Sequence, residues 1–301
     1  MITAATLAAL ATACAVGSWR LTTARWTSRA PRVAIILWQS LGVTWGLAGT
    51  GAMLAYAVQP YGVGVLPGLI AFADGRAPRE PWDVLHVLAM IAGLTALAVL
   101  VAVLLTAGTQ VLRARRRHRM LLALISHDDP VVPGVRVLDH PGAAAYCVPG
   151  LRSQVVVSEG ALRLLSEDEM AAVLAHEAAH VRERHDLVLL PFAALRRALP
   201  WSKVVRDAQT QVELLVEMAA DDRARRYCCP RRLATALLRF GTAGAMPAPQ
   251  GMLGVHAQSL MARVDRLVKP APELPMRLRY GVLALSVTLV TSVPFLWVYQ
   301  L

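Results

Sequence analysis

The chain is 301 residues long and 56% hydrophobic, with a mean hydropathy of +0.47, which excludes an ordinary water-soluble domain. Its 31 Lys and Arg against 20 Asp and Glu give a net charge of +11, but the arginines cluster beside apolar runs, where they set membrane topology rather than bind nucleic acid directly. Cys14, Cys147, Cys228 and Cys229 show no C-x-x-C spacing, so neither a zinc knuckle nor a disulfide framework is expected.

Residues 2–18 form an Ala-rich apolar run with no basic residue ahead of it. A short first membrane helix is expected there, not a signal peptide. Arg20, Arg25, Arg29 and Arg32 follow, and residues 33–58 read as a second span, with Gly42, Gly46, Gly49 and Gly51 allowing close helix approach. Residues 59–83 read as a Pro/Gly-rich, nearly neutral loop. Residues 84–112 form the longest apolar run and enter Arg113, Arg115, Arg116, Arg117 and Arg119 directly. A last apolar run, 280–301, follows Arg277 and Arg279.

The distribution of arginines predicts that the N-terminus, the 59–83 loop and the C-terminus lie outside, with everything between Arg113 and Arg279 in the cytoplasm of a multi-pass plasma-membrane protein. Three parts are therefore expected: an N-terminal membrane domain with three transmembrane helices over 1–112, a cytoplasmic domain over 113–279, and a C-terminal transmembrane helix over 280–301. The fold class is a mainly α membrane protein of about four transmembrane helices carrying an α+β domain.

Within 113–279 the composition becomes that of a soluble domain. Short β-type runs at 135–138, 144–148 and 154–157 are split by Pro141-Gly142 and Pro149-Gly150, which predicts a small sheet. Its edge is suited to holding an extended peptide by main-chain hydrogen bonds. Ser166-Glu167-Asp168-Glu169 is a capping box that starts a helix at Glu167, with Met170, Val173, Leu174 and Val181 expected as its buried stripe.

That helix carries His176-Glu177-Ala178-Ala179-His180. Histidines at i and i+4 share one helical face and can take adjacent corners of a tetrahedral zinc ion. The intervening Glu177 is placed to act as general base on a water. Residues 187–201 are apolar but broken by Pro191, Arg196, Arg197 and Pro200. They are too short to span, and read either as a segment at the membrane surface or as a buried helical hairpin.

A catalytic zinc site needs a third protein ligand. Glu183 and Asp186 stand where a metzincin would have its glycine and third histidine, which excludes that class. Downstream, Glu213, Glu217 and Asp221 are spaced i, i+4, i+8 on a strongly helical segment. Like charges at that spacing repel unless a cation compensates them, and a zinc ion is expected to supply it. Glu217 is the expected ligand and Asp221 the carboxylate that accepts the other ring N–H of a ligand histidine; Glu213 is the fallback. The competing reading is a solvated acidic face paired to Arg223, Arg225 and Arg226. His185, Arg225 and Arg226 are candidates for stabilising the oxyanion.

The order of spans, the H-E-x-x-H at His176 and the E-x-x-x-D from Glu217 to Asp221 resemble the M56 family of membrane metallopeptidases, the family of the BlaR/MecR-type antibiotic-sensing transducers. The catalytic domain is similar to the M48 group, which includes the CAAX-processing and heat-shock membrane proteases. Arg263-Val264-Asp265-Arg266-Leu267 also resembles the R-x-x-R-L stretch near the end of such domains. The resemblance implies a gluzincin domain in which His176, His180 and Glu217 bind zinc and Glu177 is the base. It implies cleavage of a cytoplasmic protein such as a winged-helix transcriptional repressor. The transducers continue into an extracellular penicillin-binding-like domain, whereas the sequence stops at Leu301, so β-lactam sensing by that route is not expected. The alternatives are an M48-like quality-control or maturation protease, or a zinc-bound signalling scaffold without catalysis.

Overall fold

The computed structural model describes residues 1–128, 135–148, 154–242, 257–269 and 272–299. The chain is mostly helical and divides into two compact units. The first comprises Met1–Leu105, Ala194–Ala208 and Leu274–Leu301; the second comprises Thr106–Ala193 and Gln209–Glu273.

Among the described residues, four helices are long and apolar enough to cross a membrane: α1 (Ile2–Leu21), α2 (Pro31–Ala57), the Val84–Ala114 portion of α4 (Val84–Ile125), and α11 (Met276–Val298). Pro31 occupies the first turn of α2, where its fixed φ suits the helix and its missing N–H costs nothing. In the first unit α1, α2 and α11 pack together around Leu7, Ala48, Leu54, Val58, Val293 and Leu296. Gly51 shows why glycine sits here: a Cβ on it would come 2.3 Å from Trp297 Nε1 and 3.3 Å from Leu7 Cδ1. Gly46 faces Leu100, whereas Gly42 and Gly49 have nothing within 4 Å, so close approach accounts for only part of the expected glycine set. Hydroxyls within these helices donate to carbonyls one turn back, as Ser40 does to Ile36 and Thr50 to Gly46, each at 2.9 Å. This satisfies them without a partner helix.

The expected loop at 59–83 contains a helix, α3 (Val65–Ala73). Pro67 lies in its first turn, where proline is tolerated, and Gly68 lies against Val58. Proline and glycine therefore mark a helix start and a close contact here. The third apolar run also continues as helix well past its expected end at residue 112, because arginine is a good helix former.

The second unit contains a four-stranded sheet in the order β1-β2-β4-β3, built from β1 (Ser126–Asp128), β2 (Val135–Leu138), β3 (Ala145–Val148) and β4 (Gln154–Ser158). β2 and β4 are parallel, and the outer strands are antiparallel to their neighbours. Three strands match the β-type runs. β1 was not anticipated, because Ser126-His127-Asp128 carries no apolar alternation and follows a helix without a break. The chain bends at Pro141-Gly142; the Pro149-Gly150 turn lies outside the described residues.

Ser158 ties the sheet to α5 (Glu159–Leu164): its Oγ donates to Gly142 O at 2.8 Å and accepts from Ala144 N and Ala161 N. α6 (Glu167–Arg182), α9 (Pro230–Thr242) and α10 (Ala257–Val268) pack around Ala172, Leu233, Leu237, Leu260, Val264 and Leu267.

Candidate metal centre

The start of α6 forms as the capping box dictates. Ser166 Oγ accepts from Glu169 N, and Glu169 Oε2 accepts from Ser166 N at 2.9 Å. Glu169 is itself buried and receives Arg239 Nη1 from α9 at 2.9 Å. The stripe α6 buries is Ala172, Val173, His176 and Ala179 with Glu169. It differs from the expected Met170, Val173, Leu174 and Val181, of which only Val173 is buried. Small side chains let α9 approach, and they carry His176 inward with them.

His176, His180 and Glu217 converge. Their donor atoms form the one group among the described residues whose geometry suits a metal ion, all within 4.8 Å of one another. His176 Nε2 lies 3.0 Å from His180 Nε2 and 3.4 Å from Glu217 Oε2, and His180 Nε2 lies 3.5 Å from Glu217 Oε1. A tetrahedron with zinc-to-nitrogen or zinc-to-oxygen bonds near 2.0–2.1 Å has edges of about 3.3–3.4 Å, so the spacing fits a zinc ion. Glu217 Oε1 is buried there with no hydrogen-bond partner, an orphaned acceptor of the kind a cation would satisfy. Glu217 comes from α8 (Lys203–Ala224) and is buried with Asp221, one turn on. Glu213 is only half-buried and accepts from Gln209 Nε2 at 2.7 Å; it stands outside the group.

Asp221 Oδ1 lies 2.9 Å from His176 Nδ1, the place expected of a carboxylate that holds a ligand ring. Burial opposes a charge on His176, but Asp221 and Glu217 outweigh it and push its pKa to about 9. Burial depresses His180 to about 3, helped by the neighbouring His176, His185 and Arg263. The carboxylates thus favour positive charge beside His176, whereas burial favours the neutral ring of His180.

The cation that compensates the carboxylates on α8 is an arginine from far along the chain. Arg263, on α10, is fully buried. Its Nε and Nη2 donate to Asp221 at 2.9 and 2.8 Å, and Nη1 lies 2.7 Å from Glu217 Oε2. Burial raises both carboxylates' pKa values, but Arg263 and the histidines hold them well below the ordinary carboxylate range. Three residues on, Arg266 makes a bidentate pair with Asp222, both contacts 2.8 Å. The R-x-x-R spacing is therefore a double clasp of α10 on α8. It could be singled out in the sequence, but not its target.

Arg225 is near Asp222 and Arg223 near Glu183, each at 3.5 Å, while Arg226 is exposed. The solvated acidic face is therefore not what forms: Glu217 and Asp221 are buried and Arg263 takes them. His185, an oxyanion candidate, instead faces the back of His180, with Nδ1 to Nδ1 at 2.9 Å. Glu177 is half-buried one position beyond His176.

Residues 109–218 match the profile of peptidase family M48, a family of zinc metallopeptidases. The match includes His176, Glu177, His180 and Glu217 and stops short of Asp221 and Arg263. A stretch of 78 residues is 41% identical to a protein described as Protease HtpX homolog from Aeropyrum pernix, covering 24% of each chain. The chain thus spans about a quarter of the curated relative's length. Both similarities are to M48-type proteins, the group the catalytic domain resembles, and neither singles out the M56 transducers. The likeness is thus to M48-type zinc-metallopeptidase domains, in a chain whose described residues include four helices fit to cross a membrane.

Proposed function

We propose that this protein is an integral-membrane zinc metalloendopeptidase whose catalytic domain, residues 113–279, faces the cytoplasm, with the 1–112 and 280–301 segments in the bilayer and both termini outside. The observation that carries the reading is the convergence of His176, His180 and Glu217 beside Glu177. The HtpX-type relative, named a protease, points the same way. Orientation is supported by the arginines following residues 19 and 112, on the principle that cationic loops stay inside.

His176, His180 and Glu217 would hold the zinc ion, with Asp221 keeping the His176 ring in place. The ion would polarise the scissile carbonyl and lower the pKa of a water. Glu177 accepts the proton of the attacking water at its carboxylate and passes it to the leaving amine nitrogen. β3 is one edge of the described sheet and lies against α6, so an extended substrate added to its outer side would run past the metal helix.

For the substrate two readings have separate support. The M48 and HtpX-type similarities favour quality control or maturation of membrane or cytoplasmic proteins. The order of spans, three before the metal helix and one after, favours the transducer-like reading, regulatory cleavage of a cytoplasmic protein such as a repressor. The test is proteomics of cleavage products in cells carrying wild-type or Glu177→Gln protein. Many cut proteins support quality control and one defined cut supports regulation. No difference between the strains, with zinc bound to the wild type, would leave only a non-catalytic scaffold.

A further inference from the structure

We propose that His185 is a positioning residue for His180: its Nδ1 accepts a hydrogen bond from His180 Nδ1–H and so fixes the tautomer that directs His180 Nε2 at the metal. The inference deepens the zinc-protease reading and rests on it.

The backbone between the two histidines is shaped for this contact. On an unbroken helix the fifth residue on would point about 140° away round the axis. Here α6 ends at Arg182 with Glu183 as its C-cap, Arg184 takes φ +50°, and α7 (His185–Ala198) begins at once. A left-handed arginine costs on the order of 1 kcal/mol, and such conformations persist where the surroundings require them. The turn returns His185 to His180, the ring centroids 4.8 Å apart and nearly perpendicular at 83°. His185 is only 3% exposed.

The proton count then has one solution. His180 Nε2 is the atom that meets His176 and Glu217, so as a metal donor it must carry a lone pair and the ring proton must be on Nδ1. Nδ1–H is 2.9 Å from His185 Nδ1, which must therefore be the acceptor. The His185 proton is left on Nε2, 3.4 Å from Glu183 Oε2, and Glu183 in turn is 3.5 Å from Arg223. The two ligand histidines are thus backed differently: His176 by a carboxylate neutralised by Arg263, His180 by a neutral imidazole.

The test uses full-length protein in detergent, with Zn²⁺ affinity read by competition against a chromophoric chelator and the site's symmetry read from the Co²⁺ absorption spectrum. His185→Leu should bind zinc 10–100-fold more weakly and shift the cobalt bands. His185→Asn, which keeps an acceptor near the Nδ1 position, should return to within a few-fold of wild type. Wild-type affinity and spectrum in His185→Leu, or equal weakening in His185→Asn, would overturn the assignment. If His185→Leu does not fold, His185→Gln takes its place, since it moves the acceptor to the Nε2 position. Tighter binding by Asn than by Gln then supports the proposal, and equal or tighter binding by Gln overturns it. Failure of the zinc reading itself is seen separately, as wild-type protein that takes up no zinc, and it removes this proposal too.

Discussion

Thr50 and Arg263 are both buried polar side chains, and the two units satisfy them in opposite ways. Thr50, in the apolar unit, donates to a carbonyl four residues back on its own helix. Arg263, in the second unit, crosses 42 positions of sequence to Asp221. In the apolar unit shape and small residues do the packing, as at Gly51 against Trp297 and Leu7. In the second unit charge is concentrated inside, with Arg263, Glu217, Asp221 and His176 all buried. A helix facing lipid must close its own hydrogen bonds. A protein interior can keep charges if each is paired, and the unpaired remainder marks where a cation belongs.

This contrast can be broken from either side. The largest effect is expected from Glu177→Gln, which leaves every group of the metal cluster in place. Turnover of a cleaved substrate should fall by about 10²–10⁴-fold while zinc content by metal analysis is unchanged; turnover equal to wild type would remove Glu177 from the chemistry. Next comes Arg263→Met, which strips the buried carboxylates of their partner. Unfolding in EDTA should show a loss of about 3–5 kcal/mol, shrinking when zinc is supplied, because the ion takes over part of the compensation. An equal loss with and without zinc would mean that Arg263 acts by packing alone.

Gly51→Val should cost about 1–3 kcal/mol through overlap with Trp297 and Leu7, lowering the melting temperature of the detergent-solubilised protein. Its zinc content should stay at the wild-type level, and loss of zinc would show that the apolar packing reaches the site. The smallest effect is expected from Ser166→Ala, about 1 kcal/mol for a lost helix cap. Glu169 retains Arg239, so the metal helix should still form, as circular dichroism and zinc content would report.

Local sequence patterns were enough to predict four helices fit to cross a membrane, the small sheet, the helix start after Ser166 and the pairing of His176 with His180. All of these are local: they depend on residues within a turn, a strand or one apolar run. Glu217 and Asp221 were legible one step further out, because repulsion along a single helix face asks for a cation. A zinc ion is the cation the sequence suggests; that Arg263 also answers the charge was not legible. Arg263 stands 87 positions from His176, and no spacing rule connects α10 to α8. β1 forms only because β2 offers it an edge. The turn of His185 onto His180 depends on Arg184 adopting a left-handed conformation, for which arginine gives no sequence signal. The sequence by itself determined the four long apolar helices, three of the four described strands and the metal helix. Tertiary structure decided what stands behind each ligand, because those contacts form only when distant segments share one interior.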